Sequence, residues 1–300
     1  MIKLLTEKIG SASVATLILL TSYGIIIGDS SIEAVTKLTL LFAEGLLLNY
    51  LCFRFSILGV KSNLPLVLFC TLSVLVIPDL SIGDLIYGAV FLGAFFLVFE
   101  SREQEKLAGR YMIYFGILLG IAQTISNISI LLMLPVFILF IQAGTSKPGH
   151  FVLSITYFIM ILISYSGLLF VMDLPDKIWD LIPQLALDYS VFNSILMKLA
   201  VPFIVISLVV HFLSLRGYRF RFPNKSIILN YTMLVQLASS IVIVIISTEL
   251  NILTYSIMAA SITLSFAFAY KQDNIFVNAS FASLICICTM SLALFRILIL

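Results

Sequence analysis

Residues 34–53 read AVTKLTLLFAEGLLLNYLCF, a run that is mainly apolar and carries one acidic residue, Glu44, near its middle. A helix needs about 20 such residues to cross the hydrocarbon core of a bilayer. A carboxyl group at that depth must be neutral, paired or in contact with water. The stretch therefore predicts a transmembrane helix, and Glu44 is its first candidate for a functional residue.

The rest of the chain repeats this pattern. Of its 300 residues, 61% are hydrophobic and 11% are charged, which is more apolar surface than a soluble core can hide. The composition predicts an all-α fold, a polytopic transmembrane helical bundle in which residues 1–300 form a single integral membrane domain. Its basic residues are spread over short loops instead of one exposed face, so a nucleic-acid-binding protein is excluded.

Charges, prolines and glycine clusters divide the chain into about eleven predicted spans, within a range of about 10–12. The polar gap at 126–128 is either a tight outer turn or a break within a helix. The predicted spans are 13–27, 34–53, 64–77, 85–99, 111–126, 128–143, 151–171, 191–213, 226–247, 252–270 and 275–300.

The gaps between these spans alternate in the sign of their charge. By the positive-inside rule this pattern predicts a cytoplasmic N-terminus and a multi-pass protein of the bacterial inner membrane. The basic residues of the predicted cytoplasmic gaps are Lys3, Lys8, Arg54, Lys61, Arg102, Lys106, Arg110, Lys147, Arg216, Arg219, Arg221, Lys225 and Lys271. The acidic residues of the predicted outer gaps are Asp29, Glu33, Asp79, Asp84, Asp173, Asp176, Asp180, Asp188 and Glu249.

The longest outer gap, 172–190, has helical spacing of its apolar residues from Ile178 to Leu185. This predicts a short helix in the membrane interface, with Trp179 at headgroup level and Pro183 bending it. A lid or lipid-docking element and a loop that packs on the bilayer are both compatible with the pattern.

Known catalytic and metal-binding patterns are absent from the sequence. The pair Cys286 and Cys288 lies two residues apart, so on one helix these side chains point to nearly opposite sides and cannot share an ion. We predict that the cysteines are apolar packing residues and that no protein metal site is present. The chain has no H-E-x-x-H, Walker or G-x-S-x-G motif, which argues against nucleotide-driven chemistry and soluble hydrolase chemistry.

Charged residues that fall inside predicted spans are further candidates. Glu44 is either a functional carboxyl group or a protonated residue that hydrogen-bonds a neighbouring helix. Lys37 lies two turns earlier on the same helical face and is near enough to the outer end to extend toward it. Lys198 either attracts a phosphate in an outward cavity or reaches the outer headgroups.

Polar residues near the outer surface supply the other candidates. Asp29 and Glu33 could bind a divalent cation, act as general bases or remain hydrated. With Glu44 they form the predicted catalytic set. The predicted substrate-binding set is Lys198, Lys177, Gln123 and Asn127.

Residues 100–142, ESREQEKLAGRYMIYFGILLGIAQTISNISILLMLPVFILFIQ, form a charged loop followed by a glycine-rich double span. Together with an acidic first outer loop, this order resembles the membrane-embedded glycosyltransferases that use polyprenyl-phosphate sugars, the GT-C class. The resemblance implies a catalytic or metal-orienting role for Asp29 and contact of Lys198 or Lys177 with a lipid phosphate. The chain is also similar to a family of bacterial polytopic membrane proteins of about this length, and that resemblance implies no activity.

Three functions follow as expectations. The first is envelope glycan or lipid-linked sugar metabolism, in which a reduced glycosyltransferase-like enzyme acts at the outer leaflet on a polyprenyl-phosphate-linked sugar, with a divalent cation neutralising the departing phosphate. The second is a proton-coupled transporter or lipid flippase that uses Glu44. The third is a non-catalytic subunit that contacts membrane-protein partners through its helices. Membrane lipids are expected partners in all three.

Overall fold

The computed structural model describes residues 2, 9–27, 31–74, 76, 80–127, 129–131, 148–182, 205, 209, 235, 238–239, 251–269 and 275–299. Every regular element within these ranges is a helix, which confirms the all-α prediction. The α-helices are α1 (Ile9–Ile27), α2 (Ile32–Arg54), α3 (Leu64–Ser73), α4 (Ile82–Glu103), α5 (Ala108–Ile125), α6 (Pro148–Val171), α7 (Asn251–Ala269) and α8 (Ile275–Ile299).

Among the described residues, three helices are long and apolar enough to cross a membrane, namely Ile32–Arg54, Ile82–Ser101 and Pro148–Val171. They correspond to the predicted spans 34–53, 85–99 and 151–171 and identify the chain as a membrane protein. The count of eleven spans stays a prediction. The predicted spans 191–213 and 226–247 and most of 128–143 lie outside the described residues.

Capping residues explain where two of these helices begin. The side chain of Ser31 accepts a hydrogen bond of 3.2 Å from the backbone N–H of Ala34 at the start of α2. At the start of α4, Ser81 and Asp84 form a capping box, in which each side chain accepts a hydrogen bond from the other residue's backbone N–H. Such caps satisfy N–H groups that have no partner within the helix.

Side-chain contacts at the helix ends fix the relative directions of four helices. Arg54, at the end of α2, pairs with Glu100 at 3.0 Å and with Glu103 at 3.5 Å, both in the last turn of α4. Helices α2 and α4 are therefore parallel. A connection of four residues joins α4 to α5, so α5 runs in the opposite direction.

The same reasoning applies to α5 and α6. Gly109 at the start of α5 lies beside His150 at the start of α6, and Gln123 near the end of α5 donates a hydrogen bond of 2.9 Å to the carbonyl of Leu181 beyond α6. The two helices are therefore parallel. We name the two ends of this helix group the Glu33 end, where α2 and α4 begin and α5 and α6 end, and the Arg54 end opposite. The alternation agrees with the predicted threading, whereas the cytoplasmic N-terminus stays a prediction.

Helix α3 is the central and unusual element. All ten of its residues are buried, and it packs against α1, α2, α7 and α8. At ten residues it is about 15 Å long, half the thickness of the hydrocarbon core, which is about 30 Å. The prediction of a span over 64–77 is therefore met only in part, because the helix ends at Ser73 within the protein.

Candidate functional site

Glu44 lies in the middle of α2 and faces the interior of the bundle. Its exposed fraction is 1%, and neither carboxyl oxygen has a hydrogen-bond partner. The thiol of Cys70 on α3 interacts electrostatically with the carboxyl group. The backbone of Ala89 on α4 faces the carboxyl group without forming a hydrogen bond of ordinary length and angle. Glu44 is thus enclosed by α2, α3 and α4.

Among the residues that the structure describes, no basic side chain is paired with this carboxyl group. The sequences of α1, α3 and α7 contain no Asp, Glu, Lys, Arg or His. Lys37, on the same helix as Glu44, pairs with Glu33 instead, at 2.9 Å and toward the Glu33 end. An ionised Glu44 would be a single uncompensated charge in an apolar interior, which is strongly unfavourable.

Close packing between α2 and α3 holds Glu44 in place. The neighbouring Gly45 has no side chain, and a Cβ atom added there would lie 2.9 Å from Leu66 Cδ1 and 3.1 Å from Cys70 Sγ on α3. Further toward the Arg54 end of the interface between α2 and α3, Asn49 Nδ2 donates a hydrogen bond of 3.0 Å to Asn63 Oδ1 at the start of α3. The two helices are antiparallel, since Asn49 follows Gly45 whereas Asn63 precedes Leu66.

Ser73, the last residue of α3, has an exposed fraction of 1%, and its hydroxyl oxygen has no hydrogen-bond partner. Thr71 in the same turn bonds its own helix, with Oγ1 donating 2.7 Å to the carbonyl of Val67. Buried hydroxyl groups also occur on α7, which packs against α3, and those of Ser261 and Ser265 bond carbonyls of their own helix. The Ser73 hydroxyl group therefore differs from those of Thr71, Ser261 and Ser265 in having no hydrogen-bond partner.

Gln123 and Asn127 lie where α5 ends and the chain reverses at the Glu33 end. The side-chain amide of Gln123 donates to the carbonyls of Asn127 and Leu181, and its Oε1 accepts a hydrogen bond of 2.9 Å from the backbone N–H of Ile130. The predicted polar gap is thus a tight reversal, held by a buried glutamine. The bonds of Gln123 all go to backbone, while Asn127 Oδ1 has no hydrogen-bond partner.

The predicted interfacial helix is present in part. Residues Pro175–Leu181 form a short 3-10 helix, and Trp179 is 69% exposed within it. Asp173, with a φ angle of 55°, turns the chain at the end of α6, a conformation that aspartate tolerates better than most residues. Lys177 is exposed on this element. The remainder of the predicted helix, including Pro183 and Leu185, lies outside the described residues.

The structure does not bring the candidates to one place. Glu33, Gln123, Asn127 and Lys177 lie at the Glu33 end, whereas Glu44 is eleven residues further along α2 than Glu33, or about 16 Å. Asp29 and Lys198 lie outside the described residues. Within the described part of the chain, no group of three or more His, Cys, Asp or Glu side chains could hold a metal ion, and the four cysteines are free thiols.

Sequence reasoning missed a polar network at the Arg54 end. Glu100 has a side chain only 5% exposed and binds Arg54, and it also accepts a hydrogen bond of 2.8 Å from Gln104 Nε2. Tyr111 on α5 donates to Gln104 Oε1 at 3.3 Å. One feature of the sequence could have indicated this network, namely three acidic residues, Glu100, Glu103 and Glu105, in a gap that was predicted to be basic.

Comparison with protein-family models, curated proteins and solved structures finds no match to this chain. The function is therefore argued from the geometry of the described residues.

Proposed function

We propose that the protein is a secondary transporter or lipid flippase of the bacterial inner membrane in which Glu44 binds and releases a proton. The observation that carries this proposal is a membrane-embedded carboxyl group with 1% exposure and no hydrogen-bond partner. Intramembrane carboxyl groups of this kind are typical of proton relays in carriers. Because no basic side chain among the described residues pairs with Glu44, the group is neutral in this conformation and becomes ionised only when a conformational change hydrates it.

The burial of Glu44 favours a carrier over an enzyme. A general base must reach the proton that it removes from its substrate, at a distance of about 3 Å. A proton-coupling carboxyl group has no such requirement, since it exchanges a proton in one state and is enclosed in the other. The half-length helix α3 supports the same proposal, because discontinuous helices near the membrane centre commonly form transport sites.

The proposed substrate is a lipid-linked sugar or another lipid with an anionic headgroup. The support comes from the sequence, through the resemblance to enzymes of polyprenyl-phosphate sugars and through Lys198 and Lys177 as phosphate-binding candidates. Exposed Lys177 and Trp179 on the 3-10 helix suit contact with headgroups.

The protonation state of Glu44 is tested with dicyclohexylcarbodiimide, which reacts with protonated carboxyl groups in apolar surroundings. In lipid nanodiscs we expect one modification per chain, mapped by mass spectrometry to Glu44 and absent from Glu44→Gln. The matched control is Glu100→Gln, which removes another buried carboxyl group, one that pairs with Arg54 at 3.0 Å. This variant should retain the modification. Labelling that maps elsewhere, or none at all, would contradict the proposal.

Transport is tested in proteoliposomes that contain a fluorescent polyprenyl phosphate, with dithionite quenching the probe in the outer leaflet. An imposed pH gradient should change the rate at which the probe moves between leaflets in the wild type but not in Glu44→Gln. A gradient response that survives the substitution would exclude the role of Glu44.

A second candidate, the outer-leaflet glycosyltransferase-like enzyme, is favoured by one observation. Glu33 and Lys177 are exposed at the same end of the helix group, as a base and a phosphate ligand acting in one interfacial reaction would need to be. Single changes Asp29→Ala, Glu33→Ala and Lys177→Ala, each followed by analysis of envelope glycans, test this candidate. Unchanged glycan profiles in all three would remove it. The role of a non-catalytic subunit stays a prediction.

A further inference from the structure

The geometry points to a sodium site formed where α3 ends beside Glu44, with the Glu44 carboxylate, the Ser73 hydroxyl group and the terminal carbonyls of α3 as ligands. This inference deepens the proposed function and rests on Glu44 as the coupling carboxyl group. It makes the carrier one in which Na⁺ and H⁺ compete for one position.

The register of α2 against α3 brings Glu44 and Ser73 toward one another. Gly45 packs against Phe69 and Cys70, and the helices are antiparallel, so residues beyond Cys70 lie toward the Glu33 end. Ser73 is three residues beyond Cys70, about 4.5 Å along the axis. The side chain of Glu44 leans in the same direction, because Cα–Cβ bonds tilt toward the start of their helix.

Both side chains are available to bind a ligand. Glu44 and Ser73 each have an exposed fraction of 1%, and their side-chain oxygen atoms have no hydrogen-bond partner. A buried polar group without a partner costs about 1–3 kcal/mol, so two such groups that the helix register brings toward one another are expected to share a ligand. Thr71 lies two residues before Ser73. Its hydroxyl group already donates a hydrogen bond to the carbonyl of Val67, so it is not part of the site.

The end of α3 supplies the remaining attraction. In the last helical turn, the carbonyls of Cys70 and Ser73 accept backbone hydrogen bonds from Val74 at 3.2 Å and from Val76 at 3.0 Å, and each keeps a second lone pair that can bind a cation. The helix dipole places partial negative charge at this end. In membrane carriers, the C-terminal ends of half-helices and unwound carbonyls bind Na⁺ or H⁺ in this way. Because α3 is ten residues long and buried throughout, its end lies inside the protein and not at a headgroup.

The charge of the site selects a monovalent ion. The sequences of α1, α3 and α7 contain no Asp, Glu, Lys, Arg or His. The other charged residues of α2 and α4 lie nearer the ends of those helices than Glu44 and Ala89 do, and α8 has one near its own end; they are Glu33, Lys37, Arg54, Asp84, Glu100, Arg102, Glu103 and Arg296. The remaining ionisable side chains on the packed elements are Tyr23, Tyr50, Cys52, Cys70, Tyr87, Tyr255, Cys286 and Cys288. One carboxylate therefore neutralises one positive charge, whereas a divalent cation would leave a buried charge uncompensated. Binding exchanges one ion for another, since the neutral carboxyl group releases its proton to solvent as Na⁺ enters.

Thermal unfolding in nanodiscs tests the site, with NaCl compared with choline chloride at equal ionic strength, at pH 6 and pH 8. We expect NaCl to raise the unfolding temperature, and to do so at a lower concentration at pH 8, where fewer protons compete. Glu44→Gln should abolish the Na⁺ effect. Ser73→Ala should raise the half-maximal Na⁺ concentration about five- to tenfold, the loss expected for one oxygen ligand. The matched control Thr71→Val should leave it unchanged.

Carbodiimide labelling separates failure of this inference from failure of the proposed function. Na⁺, but not choline, should slow the labelling of wild-type Glu44. If Glu44 is labelled and Na⁺ has no effect on labelling or unfolding, the sodium site is wrong and the proton role stands. If Glu44 is not labelled under any condition, both are wrong. Should Glu44→Gln fail to fold, saturable binding of ²²Na⁺ to the wild type that acid displaces supports the site, and its absence overturns it.

Discussion

The contact between α5 and α6 depends on Gly116, and the substitution Gly116→Ala tests how closely the two helices approach. A Cβ atom at this position would overlap the carbonyl oxygen of Ser154 on α6, and it would lie 3.0 Å from the carbonyl carbon and 3.1 Å from the Cα atom of Ser154. These atoms belong to the helix backbone and cannot rotate away. The helices must therefore separate by about 1 Å to restore ordinary contact distances.

The cost follows from this geometry. Overpacking of a close contact costs about 1–3 kcal/mol, and we expect the upper part of that range because a rigid backbone must move. Replacing glycine by alanine within a helix also gains up to about 1 kcal/mol in intrinsic propensity. The matched control is Gly167→Ala in α6, where nothing lies within 4 Å of the added Cβ. The propensity gain cancels between the two variants, so their difference in free energy of unfolding should be about 2–3 kcal/mol.

The assay is unfolding of each variant by SDS in mixed micelles, followed by far-ultraviolet circular dichroism. We expect Gly116→Ala to unfold at a lower SDS fraction than the wild type, and Gly167→Ala at an equal or higher fraction. Gly120→Ala provides a second measurement, because its Cβ would lie 2.6 Å from Ile161 Cβ. Equal stability of Gly116→Ala and Gly167→Ala would refute the close approach of α5 and α6.

Three further predictions concern polar groups within the bundle. Glu44→Leu should stabilise the protein by about 1–3 kcal/mol in detergent, because it removes a buried group without a partner; a loss of stability would show that the carboxyl group is bonded. Arg54→Ala should destabilise it by about 2–3 kcal/mol by leaving Glu100 buried and unpaired, and a double variant that adds Glu100→Gln should recover at least half of that loss. Gln123→Leu should lower the free energy of unfolding by about 2–4 kcal/mol, since it leaves two carbonyls and one N–H without partners. It should also raise the rate of hydrogen exchange at the Ile130 amide. Thr124→Val, at a neighbouring position, is the control and should change neither quantity.

The sequence by itself determined the fold class and the residue that matters most in the proposal. Apolar runs of about 20 residues must form helices in a bilayer, because no water is present to satisfy backbone N–H and C=O groups. The same argument identified Glu44, since an acidic residue in the middle of such a run is unfavourable wherever its neighbours lie. The polar residues near Gln123 predicted either a turn or a break within a helix, and the sequence did not decide between them.

Only the tertiary structure decided what surrounds these residues. The run at 64–77 has the composition of a span, yet its helix ends at Ser73, and other helices cover all ten of its residues. The proposed sodium site depends on the register of α2 against α3, which packs Gly45 against Leu66, Phe69 and Cys70. The bond from Gln123 to Leu181 joins residues 58 positions apart. Hydropathy reports transfer of each residue out of water, and it carries no information about which helix face meets which. That choice is made by close packing at residues such as Gly45 and Gly116, where the absence of a side chain lets two backbones approach.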